Sequence, residues 1–448
     1  LDYLIGLPSF AKVVTAFCAI LVFYRMKLPL GVSIILSAVG LTLWTGTGSE
    51  GIGKLLMSAV AFDNILLYMV VFLLLLFTTA LNATGRMKRT VDALEGWLSS
   101  KRMLFGGLPA LVGLLPMPGG ALFSAPLIDS IKTKDEHSPE FKAILNYWFR
   151  HIWEYWWPLY PGVILAITYS HLPAATYLLM MMPVSVAAVF AGWYFILRKI
   201  PPEGRNTEPV RPRPSEIAAT VSPIFILVLS TIAGSVLLPH LGLSAPMPNL
   251  IGMIAGLFIA LFVLFHPEPA LAIPTLRKQM SANTVGLVFV ILGVQMFAAT
   301  LKMPIGAGEM TLVSIMQDEL FAIGIPLVLV IAALPFVAGM VTGVAVGFVG
   351  ASFPLVFGLL GPQPPMNILA ATTMFAYGFG YAGMLLSPVH ICLVVTVKYF
   401  NARLLCSYAY LVRPVILVLA ASLLFSGIYY SACPKTPRSS SPELTSGR

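Results

Sequence analysis

Long apolar runs separated by short polar breaks dominate the chain. They fall near 9–24, 28–46, 63–83, 143–170 and 175–197, then near 217–240, 248–265, 283–301, 367–397 and 406–430. A spanning helix needs roughly 20 apolar residues, so the pattern predicts an all-α polytopic membrane protein with about ten transmembrane helices. Between the two sets lies a polar, proline-rich stretch, Arg198 to Glu216, with the composition of a linker. The Ser- and Pro-rich end, 434–448, reads as a disordered tail. The expected division is therefore 1–197, a linker at 198–216, 217–433 and the tail.

Two further apolar regions do not fit single spans. The first, about 103–130, contains LPMPGGALFSAP from Leu115 to Pro126. Pro116 and Pro118 remove backbone donors, and Gly119 and Gly120 weaken whatever helix remains. Broken backbone survives at membrane depth only where protein or a water-filled cavity covers it. Two half-helices of about 13 residues reach only about 20 Å each, which suits a re-entrant hairpin. The second region, about 325–360, carries Gly339, Gly343, Gly347 and Gly350. It reads as a hairpin or as two short spans, and the repeat described next favours the hairpin.

The halves look like repeats. Asn64 pairs with Asn283 at an offset of 219, Leu108–Pro109 with Leu334–Pro335 at 226, and Tyr147, Phe149 and Pro158 with Tyr377, Phe379 and Pro388 at 230. In each half one long run is interrupted: by Pro158, Pro161 and Gly162 in EYWWPLYPG, and by Gly378, Gly380, Gly383 and Pro388 in YGFGYAGMLLSP. With five spans and a hairpin apiece, the halves would be inverted. Inverted repeats with broken helices are how many secondary transporters build a midplane site.

Composition settles the environment. Hydrophobic residues make up 58% and charged ones 10%, with a mean hydropathy of +0.89, against about 25% charged in soluble domains. The formal net charge of +9 then concerns topology, not nucleic acid. With the loop at Arg25 and Lys27 inside, most Lys and Arg fall on the cytoplasmic side. That predicts a multi-pass protein of the cell (inner) membrane with both termini outside. No cleavable signal is evident. The four cysteines form no CxxC pair, so neither a disulfide framework nor a metal site is predicted. The stretch 86–102 reads as an amphipathic connector on the membrane surface.

Few charges are embedded. Arg150, His151 and Glu154 precede the Pro158 break at helical spacing. One reading is that Glu154 carries a coupling proton with His151 or Arg150 beside it; the other is a structural Arg150–Glu154 pair. His390 is read as a hydrogen-bonded packing residue or as a ligand or proton carrier, and Asp129 as a helix-end or interface residue. Trp148, Trp153, Trp156 and Trp157 belong to a substrate path or to an interfacial belt. There is no P-loop and no HExxH, so neither direct ATP drive nor an enzyme is expected.

LPMPGGALFSAPL, WWPLYPG and the mirrored second half resemble a family of prokaryotic integral membrane proteins without an assigned substrate. That family is grouped with the ion-transporter superfamily, beside gluconate permeases and citrate or dicarboxylate carriers. The resemblance covers about 60–400. It implies a cation-coupled carrier with two hairpins, in which a transport domain moves elevator-like against a scaffold and a homodimer forms through scaffold helices. Sodium–dicarboxylate relatives carry a Ser-Asn-Thr type signature at the hairpin tips. This chain offers Gly119, Gly120 and Ser124 in one tip and Thr342, Gly343, Gly347 and Ser352 in the other.

The resulting expectation is a secondary transporter for a small organic anion, coupled to H+ or Na+ and needing no other cofactor. Its binding residues would be Pro116, Pro118, Gly119, Gly120, Ser124, Pro158, Thr342, Gly343, Gly347, Ser352, Tyr377, Gly380 and Ser387. Arg150, His151, Glu154 and His390 would handle the proton. A cation/proton antiporter is the first alternative; a channel or a non-transporting membrane scaffold follows.

Overall fold

A computed structural model describes residues 7–95, 98, 100–114, 120–131, 137–201, 213–280, 282–305, 310–361 and 363–431. The expected tail, most of the expected linker, and Pro116, Pro118 and Gly119 of the first tip lie outside the described residues.

Twenty α-helices form the described structure. They are α1 Ser9–Arg25, α2 Leu30–Trp44, α3 Gly48–Ala59, α4 Phe62–Ala83, α5 Arg86–Glu95, α6 Lys101–Gly113, α7 Gly120–Asp129, α8 Pro139–His151, α9 Pro161–Ser170 and α10 Ala174–Phe195. The second half comprises α11 Pro214–Leu237, α12 Met247–Phe265, α13 Ala272–Gln279, α14 Ala282–Leu301, α15 Leu312–Ala322, α16 Leu327–Thr342, α17 Ala345–Gly358, α18 Met366–Leu385, α19 Ile391–Tyr399 and α20 Leu404–Ser431. Seven of these (α4, α10, α11, α12, α14, α18 and α20) are long and apolar enough to cross a membrane. The count becomes eight if α15 and α16, bent by 120°, form one span. The runs at 9–24 and 28–46 did become helices, but of 17 and 15 residues, short of the roughly 20 a straight span needs.

Local chemistry sets the boundaries. The Ser138 hydroxyl accepts from Phe141 N at 3.2 Å and Pro139 opens α8, a side-chain cap followed by a residue with no amide to satisfy. Ser100 caps α6 in the same way through Met103 N. Gly343 ends α16 at φ +63°, the left-handed position that costs glycine nothing. Only Gly343 and Val344 separate α16 from α17.

Gaps between helices fall at 152–160 and 386–390. The first occupies 152–160, so α8 already ends at His151, seven residues before Pro158. The second was expected at Gly378, Gly380, Gly383 and Pro388, but α18 runs unbroken through the three glycines to Leu385. An interior glycine costs a helix only about 1 kcal/mol, and here the missing side chains admit neighbours. A Cβ on Gly383 would collide with the Phe336 carbonyl, one on Gly380 with the Phe348 ring, and one on Gly378 would come within 2.7 Å of Ser422. The break falls at Leu386–His390, where Pro388 has no amide to continue the ladder.

Helices α9, α17 and α18 are deeply buried. Within its apolar window α18 is 72% buried, against 33% for α11 and for α20. In α9 only Pro161 and Thr168 escape full burial, and α17 is buried from Gly347 to Val356. Around them α6 packs on α7 and α8, α16 packs on α17 and α18, α9 lies against α17, and α19 against α7 and α8.

Candidate functional site

The aromatic break at 152–160 closes the open end of α6. The last carbonyls of a helix have no partner within it. Here Trp153 Nε1 donates to Ala110 O at 2.8 Å, Arg150 Nη1 to Val112 O at 3.4 Å, Trp157 Nε1 to Leu114 O at 2.9 Å, and the Tyr160 hydroxyl to Gly113 O. The carbonyls of the break are satisfied from the other side. Tyr381 donates to His151 O at 2.7 Å, Ser185 to Ile152 O at 2.6 Å, Tyr377 to Glu154 O at 2.6 Å and Tyr177 to Tyr155 O at 3.2 Å. The interruption therefore persists in an apolar interior because side chains replace the lost helical bonds.

Next to these caps lies a buried polar centre. Arg150 and His151 are each 2% exposed, His390 5% and Glu154 8%. His151 Nε2 is 3.8 Å from Glu154 Oε1, and its Nδ1 is 2.6 Å from Tyr147 O. The rings of Tyr147, His151 and His390 cluster with centroids 4.5–5.3 Å apart. The Arg150 guanidinium lies so close over Gly120, the first residue of α7, that a Cβ there would come within 2.6 Å of it. A guanidinium at a helix start adds its charge to the positive end of the helix dipole.

The expected residues divide into groups. Gly120 meets Arg150; Tyr377 meets Glu154 through its main chain; Gly343 abuts the His390 backbone and Ser387. Ser387 donates to Met340 O at 2.7 Å and so ties the second break to α16. Ser124, Thr342 and Ser352 bond within their own helices, to Gly120 and Ala121, to Ala338, and to Phe348. Gly347 faces the Thr342 side chain, and Gly380 faces Phe348. Pro158 lies buried within the first break. Glu154 sits in that break, past the end of α8, so proximity and not a shared helix face brings it to His151. His390 precedes α19 as its cap residue instead of sitting within a helix. The indoles of Trp148, Trp153 and Trp157 donate to main-chain carbonyls.

Three residues of the centre were not assigned to the site from the sequence. Tyr147 sends its hydroxyl to Leu385 O at 3.0 Å. Asn146, fully buried, donates to Ala121 O at 3.0 Å and to Thr396 Oγ1 at 3.5 Å. Its Oδ1 has no hydrogen-bond partner among the described residues. Cys392, two residues past His390, brings its sulfur to the two histidines: one ligand atom each of His151, His390 and Cys392 lies within 4.8 Å of the others. The available signal was modest: a polar residue inside an apolar run, one turn before the Arg150–His151 pair.

A family model described as "Protein of unknown function (DUF401)" matches residues 9–429. No curated protein matches the chain.

Proposed function

The chain belongs to the DUF401 family, and we propose that it is a secondary active transporter moving a small organic anion with H+ or Na+. One observation carries this reading: Arg150, His151 and Glu154 lie buried where α8 is interrupted, beside the start of α7 and the break after α18. Ionisable groups inside a membrane protein are expensive and mark substrate or ion paths by default. Interrupted helices meeting at one place are the usual construction of a carrier's binding site.

The two halves are inverted repeats in this reading, and several contacts support it. Gly113 and Gly339, 226 apart, would each collide through a Cβ with a main-chain oxygen, of Arg150 and of Gly380; those two residues are 230 apart. Tyr147 and Tyr377, also 230 apart, each send a hydroxyl to a main-chain oxygen of the opposite half, Tyr147 to Leu385 O just before the second break and Tyr377 to Glu154 O within the first. The pairs α6–α7 and α16–α17 are then re-entrant hairpins, and the termini face outward as the charge bias favours.

The anion would lie between the Arg150 guanidinium and the first amides of α7, where a carboxylate can accept paired charge-assisted bonds. The unpartnered Oδ1 of Asn146, one turn away on α8, supplies an oxygen for a co-transported cation. The test is thermal stabilisation of the purified protein by gluconate, lactate, succinate and citrate, with and without Na+ and across pH. Stabilisation that grows with Na+ or acidity and disappears in Arg150→Gln supports the carrier. Stabilisation by cations alone, with no carboxylate effect, would replace it with a cation/proton antiporter.

A further inference from the structure

We propose that His151, His390 and Cys392 form a binding site for a divalent transition-metal ion of the Zn2+ class. One ligand atom from each residue lies within 4.8 Å of the other two. Tetrahedral coordination with bonds of about 2.0–2.3 Å places ligand atoms roughly 3.5 Å apart, so side-chain rotations of about 1 Å close the site.

The two imidazoles are prepared by their surroundings. His151 Nδ1 engages Tyr147 O at 2.6 Å, which leaves Nε2 as the coordinating nitrogen; a carbonyl on the far nitrogen is the usual support of a metal-bound imidazole. His390 Nδ1 is buried and has no hydrogen-bond partner among the described residues. A buried polar atom left so requires an explanation, and a metal ion supplies one. The Cys392 sulfur supplies the third ligand atom of the group. Metal binding would displace the thiol proton, since the thiolate is the form that binds metal.

Charge and softness narrow the ion. The thiolate, with the Glu154 carboxylate 3.8 Å from His151 Nε2, offsets two positive charges and leaves that of Arg150. Imidazole with thiolate selects Zn2+, Co2+ and similar ions over Mg2+ and Ca2+. Three protein ligands leave a fourth position open, as in zinc sites that exchange a bound water or substrate. His151 closes α8 in the first half and Cys392 lies in the first turn of α19 in the second, so the ion joins the two halves beside the breaks.

The experiment uses the full chain, purified in detergent and stripped of metal, with Co2+ as the optical probe. Cys18 and Cys406 are exposed thiols, so the background carries Cys18→Ser, Cys406→Ser and Cys433→Ser. One equivalent of Co2+ should give a thiolate-to-cobalt charge-transfer band, displaced by Zn2+ and not by Mg2+. In this background Cys392→Ser should abolish the band, and His390→Gln should weaken Zn2+ binding by about 10- to 100-fold or more. Unaltered protein gives a second readout: Zn2+, but not Mg2+, should protect Cys392 from maleimide, read by peptide mass. No stoichiometric band, a band that survives Cys392→Ser, or no selective protection would overturn the site. No carboxylate enters these measurements, so their failure leaves the carrier reading untouched.

Discussion

Gly120→Ala separates the proposed anion site from the fold. Gly120 opens α7 and does not adopt a left-handed φ, so alanine fits its backbone. In a helix alanine is favoured over glycine by up to about 1 kcal/mol, less at a first position. Thermal stability should therefore hold or rise slightly. The new methyl, however, lies 2.6 Å from the guanidinium, and ordinary contact begins at 3.4 Å. Arg150 must retreat by about 0.8 Å or more, enough to spoil a paired carboxylate contact. Hydrogen bonds to charged groups contribute about 1.5–3 kcal/mol, so carboxylate affinity should fall between about tenfold and somewhat over a hundredfold. Calorimetric titration with the strongest stabiliser from the carboxylate panel measures this, beside a melting curve of the same preparation. Unchanged affinity would show that the guanidinium does not touch the ligand. A large drop in melting temperature would show that the contact at Gly120 holds the fold instead.

Three further outcomes follow from the packing. Gly383→Ala drives a methyl into the Phe336 carbonyl and should destabilise by about 1–3 kcal/mol or more, read as a lower melting temperature; an unaltered one would show that α16 and α18 separate freely. Gly343→Ala combines a left-handed φ of +63° with a Cβ 2.9 Å from the His390 backbone, and should lose at least about 1–2 kcal/mol, whereas Gly427→Ala, with open space at its Cβ, should not. Asn146→Leu keeps the volume but removes the free Oδ1, so any Na+ enhancement of carboxylate binding should vanish; enhancement that persists would exclude Asn146 as the cation's oxygen.

Much of the helical plan is written in apolar run length. The runs at 63–83, 175–197, 248–265 and 283–301 match α4, α10, α12 and α14 to within two residues, because a continuous apolar stretch of that size has few other solutions. Helices α3, α13 and α15 were missed. GSEGIGKLLMSA and AIPTLRKQ mix charged and apolar positions, and the bend between α15 and α16 depends on tertiary packing. Glycine misled at α18 because one residue type serves both to weaken a helix and to let helices approach. The polar centre was half visible. A buried Arg-His pair stands out in any apolar run, but Cys392 gains meaning only when folding brings it to His151, far away in sequence.

The hydroxyls that fasten the first break, from Tyr377, Tyr381, Tyr177 and Ser185, end on main-chain oxygens. Every amino acid presents that oxygen, so the clasp is indifferent to which side chains the break displays. Position 154 can exchange its carboxylate for another group while Tyr377 keeps its hold on the same carbonyl. Substitution at 154 can thus change the chemistry of the break while leaving the scaffold around it intact.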